Sequence, residues 1–167
     1  MPKIELKISP FFIETLVDVV ERVTKILEGE IVVETAGIDE DPDLAAAWRE
    51  GLLEALREDC AHLLSIIENH DFGQGVIAID DQQADATLRA CSAIRLKIQQ
   101  TFLQDIPSEA LETGEIDFYA LKPDTQKVFA CYVFLASWQE MLLAEMYPHI
   151  AEEISFDEGD VPGDEEA

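Results

Sequence analysis

QADATLRACSAIRLKIQQTF, residues 83–102, reads as an amphipathic helix with Ala84, Leu88, Cys91, Ile98 and Phe102 on one apolar stripe. Arg95 falls inside that stripe. A guanidinium turned towards a core is costly unless neighbouring elements bring it an acceptor or a counter-charge. The stretch therefore predicts a helix packed among other helices, at least one of which serves Arg95.

Three more long helices follow from the same four-and-three spacing. Ser9-Pro10 supplies an N-cap and a proline for the first turn, so a first helix is expected from about residue 10 to 28, with Gly29 as its stop. Its stripe is Ile13, Val17, Val20, Thr24 and Leu27. A second helix starts at Asp41-Pro42 or Asp43 and runs to about Glu68 on Trp48, Leu52, Ala55, Asp59, His62 and Ile66. A neighbouring stripe on it, Leu52, Leu56, Cys60, Leu63 and Ile67, fits as well. Asp80 caps a third helix, from about 81 to 103. The last begins near Pro123-Asp124 and ends by Tyr147, because Pro148 disfavours continuation. Its stripe is Val128, Tyr132, Leu135, Gln139, Leu142 and Met146. Between the last two, one short helix capped by Ser108 and ended by Gly114 is expected.

Two short segments have strand character. KIELKI (3–8) alternates polar and apolar residues, VIAI (76–79) is a short apolar run, and the two are expected to pair. EIVVET (30–35) reads equally as a strand or as the frayed end of the first helix. The expected fold is thus mainly α: a four-long-helix bundle with a small two-stranded β element over residues 1–154, followed by an acidic disordered tail, 155–167.

The fourth position of each stripe is polar: Thr24, Asp59, Arg95 and Gln139. Each lies near the middle of its helix, and helix middles share a height in an up-and-down bundle. The pattern predicts a polar layer in which Asp59 neutralises Arg95 while Gln139 and Thr24 take up the remaining donors. If the second helix uses its neighbouring stripe, Asp59 turns to the flank, and Glu54, Glu58 or Glu140 becomes the candidate partner. A structural layer that fixes helix register is the first reading. A pocket in which Arg95 binds an anion is the second.

The chain has 167 residues and a net charge of −25. Residues 152–167 hold 8 acids and no base, which leaves 28 acids against 11 bases elsewhere. That charge repels phosphate backbones, so direct nucleic-acid binding is not expected. It suits solubility, a basic protein partner or mimicry of nucleic acid, the first being the simplest account. No apolar run long enough for a membrane span and no signal-like leader is read. Three dispersed cysteines, 60, 91 and 131, suit reduced thiols in a cytoplasm.

Motifs for chemistry fall short. Asp39, Asp41, Asp43 and Glu50 stand at calcium-loop spacing, but Leu44 occupies the glycine position and Pro42 intrudes. Asp59 and His62 are three apart, as in bundle metal sites, but the second such pair is missing: Glu145 and His149 are four apart across a proline. The turn HDFGQG (70–75) needs no further purpose, and no phosphate loop or serine elbow is present. No metal ligand, cofactor or catalytic residue is assigned, and the balance is against an enzyme. Trp48, Phe134 and Trp138 are expected to pack into the core.

The segment 75–103 resembles the most distinctive stretch of a bacterial family, number two thousand and seventeen in the domain-of-unknown-function series, found mainly in actinobacteria. Leu88, Arg89, Ala90, Ile94, Arg95 and Leu96 match its helix, while Thr87 replaces a tryptophan and Ser92-Ala93 an asparagine-aspartate pair. Ser137-Trp138-Gln139-Glu140-Met141-Leu142 partly matches its last helix. The resemblance carries no catalytic residue. It implies a regulatory or interaction role, since genes of the family often neighbour that of the Clp protease adaptor and some members are labelled transcriptional regulators. The expected function is that of a cytoplasmic, non-enzymatic protein-interaction module with an acidic surface. A small-anion or metal-binding bundle and a nucleic-acid mimic are the alternatives.

Overall fold

Local chemistry decides where the helices begin. In the computed structural model, residues 3–5, 8–29, 41–69, 72, 74 and 76–148 are described. The segment 30–35, Asp39, His149 and the acidic tail lie outside them. Helix α1 spans Pro10–Gly29 and α2 Pro42–Ile67, each opening on proline at its first position. The Asp41 carboxylate caps α2 by accepting from the backbone N–H groups of Asp43 and Leu44, both at 3.2 Å. Helix α3, Asp81–Thr101, starts with a capping box. Asp80 accepts from the Gln83 N–H at 2.8 Å, and the Gln83 side chain accepts from the Asp80 N–H at 3.1 Å. Helix α4 is short, Ser108–Thr113, and ends on Gly114 at φ 74°, the left-handed conformation that glycine adopts without strain. Ser108 does not cap it: Pro107 precedes the helix, and the Ser108 hydroxyl accepts from Gln99 Nε2 at 3.3 Å instead. A 3-10 turn at Phe118–Ala120 leads to α5, Pro123–Met146.

The four long helices alternate in direction. Glu28 of α1 meets Arg57 of α2 at 3.4 Å, Asp59 of α2 meets Arg89 of α3, and Ser92 of α3 meets Gln139 of α5. Arg22 of α1 meets Asp124 of α5 at 3.6 Å, which closes the ring. Helices α1 and α3 each pack on all three others, so α2 and α5 occupy opposite corners. Strands β1, Lys3–Glu5, and β2, Val76–Ala78, pair antiparallel with Ile4 opposite Ile77. Three residue pairs make too small a ladder to form a layer, and the architecture is mainly helical.

The α5 stripe is found as expected, with Val128, Leu135, Gln139 and Leu142 buried, whereas the buried faces of α1 and α2 differ from theirs by about one helical position. On α1 the core face is Leu16, Val19, Val20 and Val23, while Ile13, Val17, Thr24 and Leu27 are half-buried at its edge. On α2 the neighbouring stripe wins: Cys60, Leu63 and Ile67 are buried, and His62 and Ala55 face solvent. Both helices are apolar over more than one stripe, so periodicity alone leaves their rotation open. Aromatic rings fill the level where α1 and α5 meet. Phe134 lies 5.4 Å from Phe12 and 5.9 Å from the fully buried Trp138, and Phe72 lies 5.6 Å from Trp138, in tilted and edge-on geometries. Helix α5 is long and apolar enough, by length and composition, to cross a membrane. Here its Val128, Cys131, Leu135, Trp138 and Leu142 belong to the bundle core.

Core and surface positions of α2 should separate cleanly in a stability series. Leu63→Ala should cost about 2–5 kcal/mol and Leu44→Ala less than about 0.5 kcal/mol, read from urea midpoints at constant slope.

Candidate functional site

The question posed by Arg95 has a geometric answer. On α3 the buried face is Ala84, Thr87, Ala90, Cys91, Ile94 and Ile98, so Arg95 stands beside it and is half-buried. Its Nη1 donates to Gln139 Oε1 at 2.7 Å, and its guanidinium carbon lies 4.8 Å from the centre of the Tyr132 ring. Nη2 reaches the Tyr132 hydroxyl at 3.5 Å. Gln139 is buried and spends both amide hydrogens on α3, donating to Ser92 Oγ at 2.7 Å and to the Leu88 carbonyl at 3.2 Å. One glutamine thus fixes the orientation of the arginine and ties α5 to two turns of α3. Among the described residues the cation is balanced by a carbonyl oxygen and a π-face, without a carboxylate.

The expected Asp59–Arg95 pair does not form. Asp59 is taken by Arg89 in a two-pronged fork, with Nε to Oδ2 and Nη2 to Oδ1 both at 2.8 Å. Neither Glu54, Glu58 nor Glu140 substitutes as a partner of Arg95, since all three are exposed and Arg95 is held by Gln139 and Tyr132. Helix register explains the choice. Asp59 lies eight residues before the end of α2 and Arg89 eight residues after the start of α3, so the two meet at one height in an antiparallel pair. Arg95 sits almost two turns further along. The Asp59 carboxylate holds the Arg89 guanidinium above its ordinary pKa through that fork. Thr24 also stands apart from Arg95: its hydroxyl donates to the Val20 carbonyl at 2.7 Å and lies against the Cys60 thiol. Of the four residues read as one layer, Arg95 and Gln139 come together, while Asp59 and Thr24 flank Cys60 on the other side of α3.

All three cysteines are free and buried. Burial pushes the Cys60 thiol up, and pushes those of Cys91 and Cys131 from the ordinary 9.0 up to about 12. Thiols held protonated in this way are poor nucleophiles. Among the described residues no group of three or more His, Cys, Asp or Glu side chains is placed to hold a metal ion.

A different feature stands out on α2. Its C-terminal half buries Asp59, Cys60, Leu63, Ile66 and Ile67; towards the N-terminus the same side stays buried at Ala45, while Leu52, Trp48 and Leu44 run along its adjoining edge. That edge is uncovered: Trp48 is 52% exposed, Leu44 54% and Leu52 42%. The expectation that Trp48 packs into the core is therefore wrong, although Trp138 and the half-buried Phe134 do so. The cause is length. Helix α1 ends at Gly29, its Glu28 opposite Arg57, so the part of α2 before Arg57 extends past α1.

A helical bundle with two side-chain polar junctions between its helices, one of which leaves the buried Arg95 Nε without a partner, and with one helix extending beyond its neighbour defines the class of protein. The chain belongs to the family described as "Domain of unknown function (DUF2017)", whose profile matches residues 34–146. That range includes α2, both polar junctions and α5. No curated protein and no solved structure matches the chain.

The two junctions should respond differently to substitution. Gln139→Leu strands Arg95 Nη1, the Ser92 hydroxyl and the Leu88 carbonyl together and should cost about 1–3 kcal/mol. Arg95→Met, which keeps the aliphatic stem over Tyr132, should cost less. For the thiols, the unfolded chain ionises near pH 8.5–9. It therefore loses protons before the folded chain does, and stability should fall as pH rises from about 9 towards 12. Ellman's reagent at pH 8 should find no thiol in the folded protein and three after denaturation.

Proposed function

We propose that the protein is a cytoplasmic, non-enzymatic regulatory module that binds another protein through the N-terminal half of α2. One observation carries this reading: beside the buried Ala45, an apolar edge of α2 made by Leu52, Trp48 and Leu44 stands exposed. An exposed tryptophan flanked by leucines is the composition of an interface anchor. Gly51 lies three residues after Trp48, beside it on the helix surface, and a Cβ there would meet nothing within 4 Å. Glycine inside a helix costs stability relative to alanine, and an open, side-chain-free position lets a partner approach the backbone closely.

Charge supports the same site. Between Leu44 and Arg57, Arg49 and Arg57 offset Glu50 and Glu54, so this stretch is neutral in a chain of net charge −25. An apolar contact made there is not opposed by the repulsion carried by the rest of the molecule. The remaining acids would steer a basic partner towards it and make association sensitive to salt. Arg95 is engaged by Gln139 and Tyr132, which favours its structural role over anion binding.

The test uses two variants of the full chain. Trp48→Ser removes the anchor, and Gly51→Leu fills the open position with a good helix former. Gly51→Leu should leave the melting temperature unchanged or raised by the equivalent of about 0.5–1 kcal/mol. Both variants should lose the protein captured by wild type from native lysate at low salt. Capture that persists through both substitutions contradicts the assignment of this face.

A further inference from the structure

We infer that the groove between α1 and the C-terminal end of α2 receives a basic amphipathic helix of a partner protein. This rests on the reading of the chain as an interaction module, and adds a second docking site of defined chemistry at the end of α2 away from Trp48. The groove has a volume of about 670 Å³. Its floor is apolar, formed by Ile13 and Val17 of α1 with Ile67 of α2, and its rim carries Glu14, Asp18, Glu21 and Glu68.

Both parts follow from the rotation of α1. Because its core face is Leu16, Val19, Val20 and Val23, the adjoining pair Ile13 and Val17 is left half-buried, facing the groove. The next positions round are Glu14, Asp18 and Glu21, all exposed, spaced four and three apart along one edge. They span roughly 10 Å of helix axis, two turns. None of these three, nor Glu68, forms an ion pair with a cation among the described residues. Arg22, next in sequence to Glu21, is turned away onto Asp124 and the Phe102 ring. The final turn of α2 has no basic residue, so the partial negative charge of its carbonyl end adds to the rim.

An apolar floor with an anionic rim selects an occupant with the complementary pattern. A hydrated metal ion gains nothing from Ile13, Val17 and Ile67. A small organic cation meets one or two of the carboxylates and leaves the others unmatched. A helix with leucine-type residues on one stripe and Lys or Arg on the flanks, repeating at four and three, matches floor and rim over the same two turns. Nucleic acid is repelled by the same rim.

The probe is a fluorescein-labelled leucine–lysine peptide with helical spacing, titrated by anisotropy against the full chain. Two triple variants carry equal charge changes: Glu14→Gln/Asp18→Asn/Glu21→Gln in the groove, and Glu109→Gln/Glu112→Gln/Glu115→Gln on the exposed α4 region. Circular dichroism checks that both fold. The groove triple should raise Kd by at least about tenfold and the distant triple by less than about twofold. Val17→Ser should weaken binding further at high salt, where the rim is screened. Equal losses in the two triples would mean diffuse attraction and overturn the inference. So would a scrambled leucine–lysine peptide, or spermine as competitor, matching the helical peptide. If the groove fails in this way while capture from lysate still depends on Trp48, the α2 reading stands without it.

Discussion

Each of the other three long helices depends on how closely it can approach α3. Ala84, Ala86, Thr87, Ala90 and Cys91 are all buried along its first three turns, and these small side chains let α1, α2 and α5 come in on different sides. Farther along, Ile94 and Ile98 fill the space that small residues would leave empty. Close approach also decides the polar chemistry. With α5 drawn in, Gln139 reaches Ser92 and the Leu88 carbonyl directly and still presents its oxygen to Arg95. With α2 drawn in, Asp59 closes its fork on Arg89. Larger residues at Ala90 or Cys91 would push the neighbours apart and open both junctions.

A bundle organised on α3 does not require its helices to be equally long. Helix α2 has 26 residues and α1 has 20, and the two are aligned at the end where Ile13, Val17 and Ile67 share one groove. Counted back from the contact of Glu28 with Arg57, the part of α2 that runs past the end of α1 bears Leu44, Trp48 and Leu52. Burying the side chain of a tryptophan and two leucines against a partner is worth on the order of 1.5–3 kcal/mol for each, before the cost of association. This difference in helix length links the fold to the proposed function.

Much of this was legible in the residues themselves. Asp41-Pro42, Asp80, Pro123 and Gly114 mark helix ends because capping is local chemistry, decided within one turn. The meeting of Arg95 and Gln139 was legible as two polar interruptions of apolar stripes. Rotation was harder to read: α1 and α2 are apolar over more than one stripe, and only the neighbours decide which stripe is inside. The partner of Asp59 is not given by counting height from helix middles, because the facing ends of the antiparallel α2 and α3 set it. Exposure of Trp48 could not be read from the pattern of α2, because it depends on where α1 stops. The groove likewise needs the rotation of α1 before Ile13, Val17 and the three acids can be placed on one edge.

The most direct test of the account is site-specific photo-crosslinking in cells, with a photoreactive phenylalanine analogue placed at position 48 or at position 119. Tyr119 is 89% exposed and lies off the α2 face, which makes it the control for surface accessibility. The account predicts a discrete crosslinked protein from position 48 and none from position 119. Identical products from both positions, or none from position 48, would contradict it, and Leu44, Trp48 and Leu52 would then be exposed without serving as an interface.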